Sequence, residues 1–429
     1  MPLVGVMLAV LPCTLVAQQA SVTLQEAIRL AERVQPTVIQ AQGTVNNAEA
    51  QIRSAKGAYL PSLTASSTGG TSFSAGPSRT NPVTGELING NSSNTSVSMG
   101  LSSRVDLFTG FRRGADRRAA NATRDAADAG LIDARSQVAL TTTQTFFDAL
   151  AAGQLARVRE ASVRRAEEQL KTSIAKLHSG SATRSDSLRS LVTLGTARVQ
   201  QVEATTQLIQ AEAELGRLVG ANGQVSAVDD SAYYRLLPAV DSTAIREEAE
   251  SASPQIRSAD ASANAARAFV SSSRSGYWPT LSLGGSTNWN GSNAGSYQLF
   301  NTRQLSLTMS WSIFNRFVRE QNIAIRESSF DAAVATAANA HRQVQSSLTG
   351  QLALLDAAAL RIEITTTSVQ AAEEDLRVQN ERYRVGAATI VDVLTSQEAL
   401  TQAGVDAVNA RFDYLRAKAQ IEALIGHSL

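Results

Sequence analysis

The sequence predicts an α+β membrane protein in which long coiled helices and bilayer-length strands alternate, and do so twice. Duplication is the first observation. GAYLPSL, Gly57 to Leu63, returns as SGYWPTL, Ser275 to Leu281. GSATRSDSL, Gly180 to Leu188, returns as GAATIVDVL, Gly386 to Leu394. The repeat is far too long for a solenoid, so each copy is half a protein. Alternation is the second observation: four segments keep period two over the length that crosses a bilayer as a tilted strand. Helix length is the third. Each copy holds a 67-residue tract without proline, Phe111 to Leu177 and Phe317 to Tyr383.

The elements follow in order. Leu3 to Val16 is apolar and Ala17-Gln18 offers a small-residue cleavage point, so 1–17 reads as a signal peptide without its basic first part. Leu11-Pro12 makes a poor lipoprotein box before Cys13. The first repeat is expected over 18–220, a linker over 221–240 and the second repeat over 241–429. An opening helix from Leu24 to Lys56 spans roughly 50 Å. Strands follow over Pro61 to Phe73 and Thr95 to Leu107, joined by the loop Ser74 to Asn94. In the second strand Val97, Met99, Leu101, Val105 and Leu107 share one face, while Ser96, Ser98, Gly100, Ser102, Arg104 and Asp106 share the other. The long helix then runs roughly 100 Å and a return helix, Thr183 to Val219, roughly 55 Å.

The second repeat gives a helix from Asp241 to Ser273, then strands over Pro279 to Trp289 and Arg303 to Ile313, around the loop Gly291 to Thr302. The last strand is cleanest, with Leu305, Leu307, Met309, Trp311 and Ile313 against Gln304, Ser306, Thr308, Ser310 and Ser312. The helix Phe317 to Tyr383 and the return helix Thr389 to Ile425 close the chain. Two short helices end to end match one long one, so each copy makes a hairpin of constant length. Val369, Ala372, Leu376 and Tyr383 keep near-heptad steps, and Val391, Leu394, Ala399 and Leu400 begin the next helix in the same way.

Tyr59, Phe73, Phe108, Tyr277, Trp278, Trp289 and Phe314 stand near strand ends, as in an interfacial girdle. Four strands cannot close a barrel, which takes about eight or more, so several chains should contribute, giving eight strands or twelve. A soluble sandwich is the plain alternative for the strands. A coiled-coil scaffold is the alternative for the helices.

Composition removes other classes. The apolar fraction is 43%, rich in alanine, with 5% aromatics, which suits close-packed helices better than a bulky core. The net charge of +1, from 39 basic and 38 acidic residues, gives no case for nucleic acid. One cysteine excludes a disulfide framework within the chain. His178, His341 and His427 lack ligand spacing, and no nucleophile elbow, P-loop or dinucleotide fingerprint occurs. No catalysis, metal or cofactor is expected. Past the leader no run of 18 apolar residues exists, so only a closed barrel could span a bilayer.

Helix, strand, strand, long helix, glycine turn and helix, repeated once, resembles the TolC-like outer membrane efflux protein family. The strings that carry the resemblance are YRVGAATIVDVLTSQEAL (Tyr383 to Leu400), VDLFTGFRRGADRRAA (Val105 to Ala120), SWSIFNRFVREQ (Ser310 to Gln321) and TLQEAIRLAERVQP (Thr23 to Pro36). It implies a homotrimer, with a 12-stranded outer-membrane β-barrel continuous with a periplasmic α-helical barrel. It also implies an exit duct, fed by a periplasmic adaptor (a membrane fusion protein) and an inner-membrane pump of the RND or ABC type. Outer-membrane lipid is then a partner and nucleic acid is not. Drug efflux, metal efflux and protein secretion all fit. A trimeric coiled-coil fibre or adhesin, and a periplasmic helical scaffold without transport, are the rival readings.

The candidate site is the pair of hairpin tips. Gly180 and Gly386 end long helices where a left-handed residue is needed. Asp186 and Asp392 follow in the first turns of the return helices, where the helix dipole favours a carboxylate. Under three-fold symmetry a tip aspartate facing inward becomes a ring of three carboxylates, which selects cations. The resemblance implies that Asp392 forms the ring, although Thr395 stands where some members carry a second acid. It also implies that Tyr383 and Asp186 hold the closed gate by a hydrogen bond between hairpins. Ala388 occupies the place of an arginine bridge found in some members, and Arg184 at the other tip could substitute. Gly180, Ala182, Thr183, Gly386, Ala388 and Thr389 form the expected adaptor contact.

Overall fold

The computed structural model describes residues 20–88, 90–235, 241–292 and 299–429. The expected signal peptide, 1–17, and Cys13 lie outside them. The first repeat runs β1 (Ala20–Val22), α1 (Leu24–Val34), α2 (Pro36–Gly57), β2 (Ser62–Ser74), β3 (Arg79–Thr80), β4 (Leu87–Ile88), β5 (Ser92–Phe108), α3 (Arg112–His178) and α4 (Arg184–Val219). After β6 (Val225–Ala227), the second runs α5 (Ser242–Ala252), α6 (Pro254–Ser273), β7 (Thr280–Ser292), β8 (Phe300–Ser310), α7 (Val318–Arg384) and α8 (Ile390–Ile425). Both long helices have 67 residues and both return helices 36, so the matched hairpins are present.

The opening helix of each repeat is not the single helix expected. Pro36 and Pro254 divide it, because a proline drives the residue before it out of the helical region and then suits the first position of the next helix. Gln35 has ψ 127° and is extended, and Ser253 has ψ 124°, so both lie outside the helical region. Two boundaries also shift. β8 stops at Ser310 rather than Ile313, since the Trp311 indole N–H donates to Tyr277 O at 3.2 Å as the chain leaves the sheet. The loop before β5 carries the small ribbon β3–β4.

The chain packs as two units. One comprises Gly43–Ala129 and Ser258–Asn339 and holds an antiparallel sheet in the order β2-β5-β7-β8. Its register stacks like with like. Ser62, Arg104, Gly284 and Ser306 align across the four strands, as do Thr64, Ser102, Ser286 and Gln304. On the opposite face Leu63, Leu101, Met99, Leu305, Leu307 and Met309 are exposed. The face expected to be apolar is therefore apolar on every strand and, among the described residues, covered by nothing. β2 and β8 are edge strands, each with one side unpaired.

Both strand-to-helix junctions are tight mirror-image turns. Arg112 N–H bonds Thr109 O at 3.2 Å around Gly110 and Phe111, and Val318 N–H bonds Asn315 O at 3.3 Å around Arg316 and Phe317. All four central residues have positive φ, from 56° to 66°. Three of them carry a side chain, which costs backbone strain. Gly110 is required: a Cβ there would lie 2.6 Å from Trp278 Cβ. Three residues beyond each turn centre an arginine lies over a tyrosine ring, Arg113 on Tyr59 at 4.7 Å and Arg319 on Tyr277 at 4.0 Å. Arg113 also donates to Leu107 O, and Arg319 to Ser312 O. Each arginine thus ties the entry of one strand to the exit of its hairpin partner.

The other unit takes the chain up to Gln42 with Gly130–Arg257 and Ala340–Leu429. Its centre is a cluster built on Phe146, Phe412, Leu215, Leu348, Ile421 and Ile425, with alanines such as Ala27 and Ala249 filling helix crossings. The described part of the segment expected as a linker, 221–235, takes part in it. β6 pairs in parallel with β1, and Tyr233 and Tyr234 make edge-on ring contacts with Phe146, Phe147 and Phe412. Phe412→Ala empties a fully buried site and should cost about 3–5 kcal/mol. The check is a lowered thermal midpoint for the purified protein.

Candidate functional site: the two hairpin tips

The α3–α4 and α7–α8 tips have one design. Gly180 has φ 75° and Gly386 φ 83°. Ser181 N–H bonds Lys176 O and Ala387 N–H bonds Arg382 O, both at 2.8 Å, which closes the helix ends with left-handed glycine caps. The return helices open on capping boxes. Thr183 N–H donates to Asp186 Oδ2 at 2.9 Å and Asp186 N–H to Thr183 Oγ1 at 3.3 Å. Thr389 N–H and its hydroxyl both donate to Asp392 Oδ2 at 2.8 Å, and Asp392 N–H returns to Thr389 Oγ1 at 3.3 Å.

Each aspartate therefore spends one carboxylate oxygen on its own tip. Asp392 is exposed, and the bonds from the Thr389 backbone and hydroxyl hold its carboxyl below the ordinary range, helped by Arg382. Its stabilisation of the tip is present at neutral pH and is lost as pH falls through that lowered value.

The hairpins meet through a residue the sequence reading missed. The Lys176 ammonium in the last turn of α3 sits 4.0 Å from the centroid of the Tyr383 ring. It donates to Tyr383 O, and to Arg384 O at 3.4 Å. A cation is thus laid on the negative end of α7. Tyr383 is buried with Leu376, Ile390 and Val393, and its hydroxyl has no hydrogen-bond partner among the described residues. Asp186 and Tyr383 are not bonded to each other in this structure: one is held in its capping box and the other in the apolar cluster. The usable signal for Lys176 was its place four residues before Gly180. Lys176→Ala should speed amide exchange through residues 382–388 while the core stays protected. Unchanged exchange would remove this contact from the tip.

Thr183, Gly180, Gly386 and Thr389 are exposed; Ala182 and Ala388 are half-buried. Behind the tips an open groove of about 790 Å³ runs between α4 and α8, lined by Leu188, Arg189, Val192, Val391, Leu394 and Glu398 among others. Val391 and Ala399, expected at coiled-coil seam positions, face this groove, Leu400 packs against the Tyr383 cluster, and Leu394 does both. Among the described residues no group of His, Cys, Asp and Glu could hold a metal ion.

The tips, matched hairpins and four-stranded sheet coincide with a family pattern over 27–221 and 245–427. The chain belongs to the outer membrane efflux protein family. It is 25% identical over 285 residues to the alkaline protease secretion protein AprF of Pseudomonas aeruginosa, covering 64% of this chain and 57% of that one. It is 24% identical over 296 residues to the outer membrane protein TolC of Salmonella enteritidis, covering 67% and 60%. The chain thus spans less than two thirds of these relatives. Its fold is that of the Campylobacter jejuni CmeC outer membrane channel, with a TM-score of 0.79 at 19% identity over 94% of this chain and 85% of that one.

Proposed function

We propose that three copies of this chain form an exit duct through the outer membrane. One observation carries the reading: the sheet has an apolar face on every strand and two unpaired edges. A bilayer does not tolerate an open edge, and four strands cannot close on themselves. Three copies supply twelve strands, with the serine and threonine face turned to a wet lumen. The duct would receive cargo from an inner-membrane pump, of the RND or ABC type, through a periplasmic adaptor. The adaptor would grip the exposed tips at Gly180 to Thr183 and Gly386 to Thr389 and the apolar groove behind them.

The gate in this reading is a ring of three Asp392 carboxylates, each with Oδ1 free of the capping box. Lys176 and Tyr383 latch the two hairpins, and adaptor binding shifts the population toward the open tips. Asp186 then serves the Tyr383 hydroxyl only if the hairpins rearrange. The bland lumen leaves choice of cargo to the pump, and a relative named for alkaline protease secretion supports a protein as one candidate beside drugs and metals. Electron microscopy of the detergent-extracted particle tests the duct. A three-fold ring with a central opening is expected. A single-chain or rod-like particle would hand the reading to the scaffold or the fibre.

A further inference from the structure

We propose that the end of the sheet where strands meet helices binds anionic phospholipid headgroups of the bilayer. The inference rests on the barrel reading above. Exposed aromatic rings ring this end: Tyr59, Phe111, Tyr277, Trp278, Trp311, Phe314 and Phe317. Phe111 and Phe317 are held outward by the strained turns, each braced edge-on by the ring three residues earlier, Phe108 or Phe314. They continue the apolar face of the strands to its border.

Just beyond that border stand Arg53, Lys56, Arg112, Arg117, Arg118 and Arg316. All are exposed, and none has an ion pair or side-chain hydrogen bond among the described residues. Their neighbourhood is set by contacts. Arg113 Nη1 donates to Ala58 O, joining the end of α2 to the start of α3. Phe111 packs on Trp278 at 5.5 Å, joining α3 to the start of β7. Three carboxylates near this end are engaged already: Asp116 by Ser272, Glu320 by Arg319 and Glu327 by Arg274. An excess of unpaired guanidinium groups bordering an aromatic and apolar band complements a lipid phosphate whose acyl chains lie along the strands. A soluble anion would use the charge and leave the band without purpose.

The test uses the intact detergent-extracted particle, given equal phosphatidylcholine and phosphatidylglycerol. Native mass spectrometry counts the lipids retained. Phosphatidylglycerol should be preferred. Its retention should fall about fivefold for each cation removed in the series ending at Arg112→Gln, Arg117→Gln, Arg118→Gln and Arg316→Gln. Arg113 and Arg319, the clamps, stay intact. Millimolar inorganic phosphate should displace none of it. Equal retention of the two lipids by the unmodified protein overturns the proposal without any variant. Displacement by free phosphate overturns the lipid as the source. Loss of the oligomer in the variant, read in the same spectra, assigns the cations to contacts between copies instead. A particle without a barrel would sink the duct reading, whereas a sound barrel without charge preference sinks this inference alone.

Discussion

Replacing Gly386 by valine should abolish export through the proposed duct while the proposed trimer still assembles. Gly386 has φ 83°, a region costing a side chain roughly 1–2 kcal/mol and a β-branched one more. Nothing within 4 Å would clash with an added Cβ, so the penalty lies in the backbone. The turn must change shape to escape it. The bond from Gly386 N–H to Tyr383 O, at 3.2 Å, goes with it, and so does the aim of Ala388 and Thr389. The strands of the sheet belong to the other unit. Export measured in cells, beside particle symmetry by microscopy, separates the effects. Export that persists would place the adaptor contact elsewhere.

If Asp392 forms the proposed ring, neutralising it should lower cation preference and weaken block by divalent ions. The useful substitution is Asp392→Asn, because its side-chain oxygen still accepts from Thr389 and the helix keeps its cap. Asp392→Ala removes the charge and the carboxylate half of the capping box together, leaving the bond from its backbone N–H to Thr389 Oγ1, so only the comparison isolates the ring. Reversal potentials across planar bilayers provide the readout. Since Thr389 holds the Asp392 carboxyl below its ordinary range, the native preference should persist into weak acid and fade only as pH drops through that lowered value. An asparagine variant with native selectivity would take Asp392 out of the ring.

The architecture was legible because it was written twice. Strict alternation in β5 and β8 set their faces, and the proline-free tracts set α3 and α7 to within a residue. The glycine turns were legible for a steric reason, and Asp186 and Asp392 for an electrostatic one. Pro36 and Pro254 were visible yet read through, because the apolar spacing continues across them and only the backbone at Gln35 and Ser253 records the break. The strand inside the expected linker was not legible, because β6 gains its partner, β1, about two hundred residues upstream. Lys176 was missed because its partners are carbonyl oxygens on another helix, and no side-chain pattern announces a carbonyl.

The open edges of the sheet also carry a genetic consequence. If no chain can close its own barrel, the unit of function is the threesome, and one faulty chain spoils two sound ones. A variant that assembles but cannot open, as expected of Gly386→Val, would then poison the wild-type protein when both are made together. A variant that never reaches the sheet, for want of Gly110, would be silently recessive. Dominance would thereby sort substitutions at the tips from those at the strand junctions.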